Sequence, residues 1–208
     1  MINHVWSILV ASVPERMPEP AGSLLAKLSR QISDEPVELL WLLDNRRRSV
    51  GSKRNALLSL SKGQFVSFVD DDDDVADNYV YWILQALKYP QTDVTCFLQT
   101  CEHVTDSPLG EKGYTVTCRY SLKTPYREGR NYDPVTGDPL HSGWWEGYPA
   151  HSMVWRGSIA RQCRFPDENF GEDVAFVHQA RTLARTEIHI PEVLYHYRFD
   201  ASRSLTRG

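Results

Sequence analysis

Residues 64–69 read Gln-Phe-Val-Ser-Phe-Val, and the next five residues, Asp70 to Asp74, are all aspartate. A short apolar run with β-branched and aromatic residues has the character of a buried strand. Carboxylates that follow it must emerge at a sheet edge, because buried like charges without counter-ions are costly. Two readings follow. A hard divalent cation wants carboxylate oxygens, and Mg²⁺ or Mn²⁺ is often held by one or two of them plus substrate phosphates. Alternatively the run is a solvated acidic turn with Asp74 or Asp77 capping the next helix. The formal charge of −4, from 23 basic and 27 acidic residues, becomes +1 without these five aspartates. The acidity is therefore local, which favours a cation site over a general field. The same balance argues against a nucleic-acid partner.

The residues before this run alternate strand and helix patterns. Val5 to Ser12 is a buried strand, and Pro14, Pro18 and Pro20 force a loop after it. Leu24, Leu25, Leu28 and Ile32 predict a helix over 21–32. Val37 to Leu43 is a second strand ended by Asp44-Asn45, followed by a basic loop over 46–52 and a helix over 53–61. Beyond the aspartates come a helix over 79–87 and a strand over 93–98. This order predicts one α/β domain, a central mostly parallel sheet flanked by helices with right-handed crossovers. At 208 residues the chain is long enough for one sizeable core. Ligands of such sheets bind outside the carboxyl ends of the strands, where 14–16, Asp44 and the aspartates all fall.

The second half reads as smaller and less regular. Tyr114 to Tyr120 alternates as a strand, 124–149 reads as a long Gly-, Pro- and aromatic-rich loop, and 153–155 is a short strand. A helix over 172–184 places Val174, Phe176, Val177 and Ala180 on its apolar side, and one or two strands follow over 187–199. No apolar run approaches the ~18 residues of a membrane span. The N-terminus lacks a basic leader and apolar core, so no export signal is expected, and Cys96, Cys101, Cys118 and Cys163 read as reduced thiols of a soluble, cytoplasmic protein.

Four further groups carry chemistry. Arg46, Arg47 and Arg48 with Lys53 and Arg54 are either a solvated basic loop or a phosphate-neutralising patch. Glu172 and Asp173 after Gly171 are either helix-start acids or a general base at a site edge. His189, His196, Arg198 and Arg203 lie in the C-terminal segment, where His196 is either a hydrogen-bonded structural residue or an imidazole ligand beside the carboxylates. Trp144 and Trp145 are either core residues or aromatic platforms for a sugar face, and the flanking Gly143 and Gly147 favour a loop.

Together these residues resemble a glycosyltransferase of the GT-A fold, a Rossmann-like arrangement, and are most similar to family 2. The resemblance spans nearly the whole chain. The first strand, ending at Ser12, and its loop Val13-Pro14-Glu15-Arg16 are similar to the family's opening segment that touches the nucleobase. Asp44 matches the acid that reads base or ribose, and Gly51-Ser52-Lys53-Arg54-Asn55-Ala56 resembles the family's (G)xxRNxxL stretch. Residues 62–73 resemble its G-E-Y-hydrophobic-x-F-hydrophobic-D-x-D-D signature, with Gln64 in place of Glu. The match sets D-x-D at Asp70-Asp71-Asp72 and implies Asp72 as direct metal ligand, with a shift by one toward Asp73 and Asp74 left open. Glu172-Asp173 resembles the E-D motif whose aspartate serves as base. Residues 195–198, with Ser202 and Ser204, resemble the closing segment, where His196 completes a metal shell with Asp70 and Asp72 and Arg198 meets the diphosphate.

The resemblance implies a nucleoside-diphosphate sugar donor, UDP-linked as is common among relatives, and Mn²⁺ or Mg²⁺. Ser12, Pro14, Arg16, Asp44, Arg48, Lys53, Arg54, Asp70, Asp71 and Arg198 would face the donor in residues 1–100 and the closing strand. Residues 101–208 would hold a glycan, lipid-linked or other hydroxyl acceptor, with Trp144 and Trp145 in contact. Asp173 as base and a leaving group on the opposite face give inversion. Peripheral membrane association is compatible with this reading. Two other classes stay open: a non-catalytic carbohydrate- or calcium-binding module, and a nucleotidyltransferase, for which no Gly-rich phosphate loop is present.

Overall fold

A computed structural model describes residues 4–89, 91–104 and 113–199. Its centre is β1 (Trp6–Ser12), buried along nearly its whole length and paired in parallel with β2 (Val37–Leu43) on one side and β3 (Phe65–Phe68) on the other. The near-continuous apolar sequence of β1 suits a strand covered on both faces. Helix α1 (Ala21–Gln31) turns Ala21, Leu24 and Leu28 inward. Helix α2 (Val50–Leu60) begins three residues before the expected start, because Ser49 caps it, its Oγ accepting from the Ser52 amide at 3.0 Å. The short β4 (Asp74–Val75) and α3 (Tyr79–Leu87) follow.

The sheet continues through β5 (Val94–His103), which runs five residues past the expected end at Leu98, then β6 (Tyr114–Tyr120), β7 (Arg127–Tyr132), β8 (Pro139–Gly147) and β9 (Val154–Arg156). The turn α4 (Gly157–Ala160), which no spacing announced, leads to α5 (Glu172–Leu183) and β10 (Glu187–Phe199). The strand order is β2-β1-β3-β9-β5-β6-β8-β7, with β10 beside β5 and β4. The result is the expected α/β architecture, a central, mostly parallel sheet flanked by helices. Antiparallel pairs join it at several places: β9 lies antiparallel between β3 and β5, β6 is antiparallel to β5, and β4 is antiparallel to β10. β10 is a single strand parallel to β5, with register shifts between 190 and 195.

The segment 124–149, expected as a long loop, is instead the antiparallel pair β7 and β8, with β8 parallel to β6. Gly137, with φ +76°, makes the turn between β7 and β8, but the other three glycines do not make turns. A Cβ on Gly129 would lie 2.7 Å from the Trp144 ring, on Gly143 2.3 Å from the Tyr114 hydroxyl, and on Gly147 2.5 Å from the Trp145 ring. Each glycine lets an aromatic side chain lie down on the strand, a packing use rather than a turn. Val174 corrects a second expectation: it is exposed, while Phe176 and Ala180 of the same helix are buried.

The core beneath the aspartates is aromatic. Phe165 and Phe176 stack at 4.3 Å, with the Phe68 ring edge-on to both at 5.0 and 5.7 Å. The loop carrying Phe165 is bound to α2: Asn55 donates to and accepts from the Phe165 backbone at 2.8 and 3.1 Å, and the Gly51 amide donates to Glu168 O at 3.1 Å. A Cβ on Gly51 would fall 1.8 Å from Pro166 O, so only glycine fits this contact.

Candidate active site

The carboxyl ends of β1 and β3 and the start of α2 enclose a cleft of about 140 Å³. Its walls include Ser12, Arg16, Lys53, Arg54, Asp70, Asp71, Asp72 and Glu172, together with Tyr197. Eight of the residues singled out in the sequence thus meet in one place. They come there because strand ends and helix starts of this topology share one edge.

The aspartates fan out to different partners. Asp70 accepts from Arg54 Nη2 at 2.5 Å and lies 3.2 Å from His151 Nε2. Burial works against the Asp70 carboxylate, but Arg54 and His151 outweigh it and hold the group well below the usual carboxylate range. Asp71 is buried, accepting from Ser12 Oγ at 2.7 Å and from Arg16 Nη1. Asp72 pairs with Arg16 Nη2 at 2.7 Å, yet its side chain is 37% exposed. Burial, with Asp70 and Asp71 adding and Arg16 opposing, pushes Asp72 up to about 6. Asp73 is turned under β10, where Tyr195 Oη donates to it at 2.7 Å and the Arg198 amide at 3.3 Å. Asp74 pairs with Lys27 at 2.7 Å on the surface. The capping alternative fails: the residue at the start of α3 is Asn78, with no side-chain cap, and Asp77 is exposed near Lys27 at 3.7 Å.

The cations of α2 are buried rather than solvated. Arg54 is clamped between Asp70 and Glu172, with its guanidinium carbon 5.6 Å from the Phe165 ring centre. Lys53 Nζ donates to Ser12 O at 3.2 Å and sits 3.8 Å from Asp44 Oδ1. Burial pulls Lys53 below the ordinary lysine range, against Asp44 and Asp71. Asp44 Oδ1 accepts from the Arg46 amide at 3.0 Å, while its Oδ2 is buried with no hydrogen-bond partner among the described residues. Asp44 is not among the residues lining the cleft; it reaches the site through Lys53, and its buried, unpartnered oxygen is a group waiting for a donor.

Other residues fall elsewhere. Arg46, Arg47 and Arg48 are exposed, with Arg46 Nε 3.0 Å from Glu15. Pro14 is exposed and opens the single 3-10 turn 14–16 that aims Arg16 back at the aspartates. His196 is exposed, 2.8 Å from Thr100 Oγ1, and lines a neighbouring groove with Asp72, Asp73 and Asp74 instead of the cleft. The Arg198 side chain turns to Glu102 at 3.9 Å, and His189 to Glu187 at 3.3 Å. Trp144 and Trp145 line a separate concavity. Ser202, Arg203 and Ser204 lie outside the described residues.

Three residues that the sequence did not flag complete the site. His151 touches Asp70 through Nε2 and lies 3.5 Å from Asp173 Oδ2 through Nδ1. Nothing in Pro149-Ala150-His151-Ser152 marks it; only the reversed direction of β9 brings the residue preceding that strand to the end of β3. Tyr195 accepts from the Asp70 amide at 3.0 Å while donating to Asp73. Tyr197 follows from the same alternation on β10 and lines the cleft itself. Asp173, 39% exposed, stands at the cleft's rim beside His151.

Among the described residues, no three His, Cys, Asp or Glu side chains form a ready-made metal cage. The chemistry of the donor set nonetheless fits a divalent cation, because Asp72 offers one accessible carboxylate in a cluster whose acids repel one another. One or two carboxylates completed by substrate phosphates is the usual Mg²⁺ pattern. No helix among the described residues is long and apolar enough to cross a membrane.

No family model matches this chain, and no curated protein does. Solved structures do. The structure of S. aureus TarS 1–349 in complex with UDP-GlcNAc superposes with a TM-score of 0.63 at 15% identity, covering 98% of this chain and 61% of that one. TarS 1–349 in complex with UDP gives 0.57 at 15% identity over 94% and 60%. The longer S. aureus TarS chain gives 0.57, with 93% of this chain covering 36% of it. The chain therefore spans about three-fifths or less of these proteins. At this identity the likeness shows a common fold, in line with the GT-A-like architecture expected from the sequence.

Proposed function

We propose that the chain is a glycosyltransferase that moves a sugar from a nucleoside-diphosphate sugar, UDP-linked, to an acceptor hydroxyl with inversion. The observation that carries this reading is the cleft at the sheet edge where the carboxyl ends of β1 and β3 meet the start of α2, beside the end of β2. An orphaned Asp44 oxygen, buried Lys53 and an Arg16–Asp71–Asp72 cluster share that edge. The fold in common with structures that hold UDP-GlcNAc and UDP supports it.

In this reading Asp44 Oδ2 accepts a hydrogen bond from the base or ribose. Arg16 and Lys53 offset diphosphate charge, and Ser12 and Arg54 fix the carboxylates. Asp72, with the diphosphate oxygens, would hold Mn²⁺ or Mg²⁺, which supplies charge stabilisation for the leaving group. Asp73 is committed to Tyr195, so the D-x-D register runs 70–72. Asp173 takes the proton of the attacking hydroxyl, and His151 orients it. Residues 1–100 supply most of the donor cleft, but Glu172 and Tyr197 in its lining, and the His151–Asp173 pair beside Asp70, come from 101–208. The acceptor region is therefore part of the same site.

The test is release of nucleoside diphosphate from a panel of sugar nucleotides with Mn²⁺, Mg²⁺ or EDTA. Metal-dependent hydrolysis of one donor is expected. It should disappear in Asp72→Ala, and Asp173→Asn should lose transfer while keeping donor binding. Silence across the panel, with no donor-induced thermal shift in either metal, overturns the proposal.

A further inference from the structure

The strand order ends at β2 on one side and at β7 on the other. Among the described residues, β7 pairs with β8 alone. An edge strand offers its backbone groups to any extended chain that fits, and proteins that stay single blunt such edges with Pro, Lys or bulges. β7 reads Arg-Glu-Gly-Arg-Asn-Tyr, with neither Pro nor Lys. Tyr126 just before it and Tyr132 at its end are 59% and 60% exposed. The opposite edge differs. β2 carries one charge, Glu38, which is used inside the chain by Ser7 Oγ at 2.5 Å and the Gly63 amide at 3.1 Å.

We propose that β7 is the seam of a symmetric dimer, in which a second copy of this chain adds its own β7 antiparallel across a twofold axis at Gly129. In that register the strand is its own complement. Glu128 opposes the partner's Arg130, Tyr126 opposes the partner's Tyr132, and the twofold repeats each pair. Opposite charges and aromatic pairs directly across antiparallel strands stabilise the pairing. Moving the axis to Glu128 or to Arg130 sets identical charges face to face, so the charges select the register as well as favour it. Contacts within the chain hold both charges close to the strand. Glu128 accepts from the Tyr126 hydroxyl, while Arg130 Nε donates to Leu140 O at 3.0 Å and its guanidinium carbon lies 5.9 Å from the Tyr114 ring centre. Glu128 and Arg130 also line the concavity over β5–β8, so the partner's Arg130 stands at the rim of that concavity in the dimer. A seam of one short strand is small, and the dimer is therefore weak and concentration-dependent.

The experiment is sedimentation velocity of the whole chain over a concentration series at low and high salt. A dimer at high micromolar concentration, weakened by salt, is expected. Glu128→Arg sets arginines face to face and should weaken it roughly tenfold or more. Glu128→Arg combined with Arg130→Glu exchanges the two charges and should restore it. Arg119→Glu, an exposed charge on β6 away from the seam, should leave it unchanged. A second readout is independent of how the charge variants fold. Chains carrying Tyr126→Cys are mixed with chains carrying Tyr132→Cys under a mild oxidant. The mixture should cross-link and neither variant alone should, because only 126 and 132 meet across the axis and the four native thiols are buried. A chain that stays monomeric throughout overturns the proposal, and so does a dimer indifferent to Glu128→Arg. Failure of the charge exchange to restore the dimer, or cross-linking of the mixture no greater than of each variant alone, overturns the register.

Discussion

Arg54→Ala tests how the site is held together. The Arg54 side chain is 6% exposed and bridges Asp70 to Glu172, itself 7% exposed, while stacking over Phe165. Its removal leaves two carboxylates facing each other in a partly dry cleft. Breaking a buried pair by deleting one partner costs roughly 3–5 kcal/mol. For a chain of this size that is a fall in Tm of roughly 6–20 °C. The sign of the pH dependence also follows. In the intact protein Asp70 lies well below the ordinary range, so it stabilises the fold at all pH values above its unfolded pKa, and this contribution is lost only in strong acid. Without Arg54, burial dominates both carboxyls and raises them. The deficit is then full at high pH and shrinks as pH falls and the two groups take up protons. Urea unfolding followed by tryptophan fluorescence at pH 5 and pH 8 measures it. A loss under about 1 kcal/mol, or an equal loss at both pH values, would refute the clamp. Arg54→Lys should recover only part, since a point charge cannot span both carboxylates.

Asp72 gives a prediction of opposite sign. Its folded pKa of about 6 lies above the unfolded value, so its ionisation costs stability above pH 6, a cost that vanishes toward pH 4. Its side chain is 37% exposed, so after screening the cost is roughly 1 kcal/mol. Asp72→Asn should therefore be more stable than the unaltered chain at pH 7.5 and equal to it at pH 4, by urea unfolding. Mn²⁺ with UDP should stabilise the unaltered chain above pH 6 and lose its effect as pH drops through 6, whereas the Asn variant shows no metal effect, by thermal shift. Gly51→Ala should cost on the order of 1–3 kcal/mol in unfolding free energy, because the new methyl meets a backbone oxygen that must move.

The first hundred residues were legible because their signals are local. Strand β2 and helix α3 run over the ranges their apolar patterns predict, and each strand end carries its polar residue to the edge that α/β topology dictates. The partners of those residues were not legible. His151 sits by Asp70 across 81 positions of sequence, through a strand whose direction no pattern encodes. The partners of the individual aspartates were equally hidden, because a run of identical residues carries no periodicity; only the structure shows Asp73 taken by Tyr195 while Asp72 stays partly exposed. In 124–149 glycines suggest turns, and Gly137 makes one, but Gly129, Gly143 and Gly147 seat Trp144, Tyr114 and Trp145, which only the pairing of β6, β7 and β8 reveals.

The antiparallel strand β9 has a further consequence, for how the chain can be divided. Among the described residues it alone joins β3 to β5, so the sheet is not two halves laid side by side but one ribbon stitched by a late segment. Residues 1–100 expressed alone would present β3 as a bare edge, with Phe65 and Val66 exposed to pairing with another molecule. Synthesis from the N-terminus would pass through the same state, with that edge unsatisfied until residues 154–156 emerge and insert.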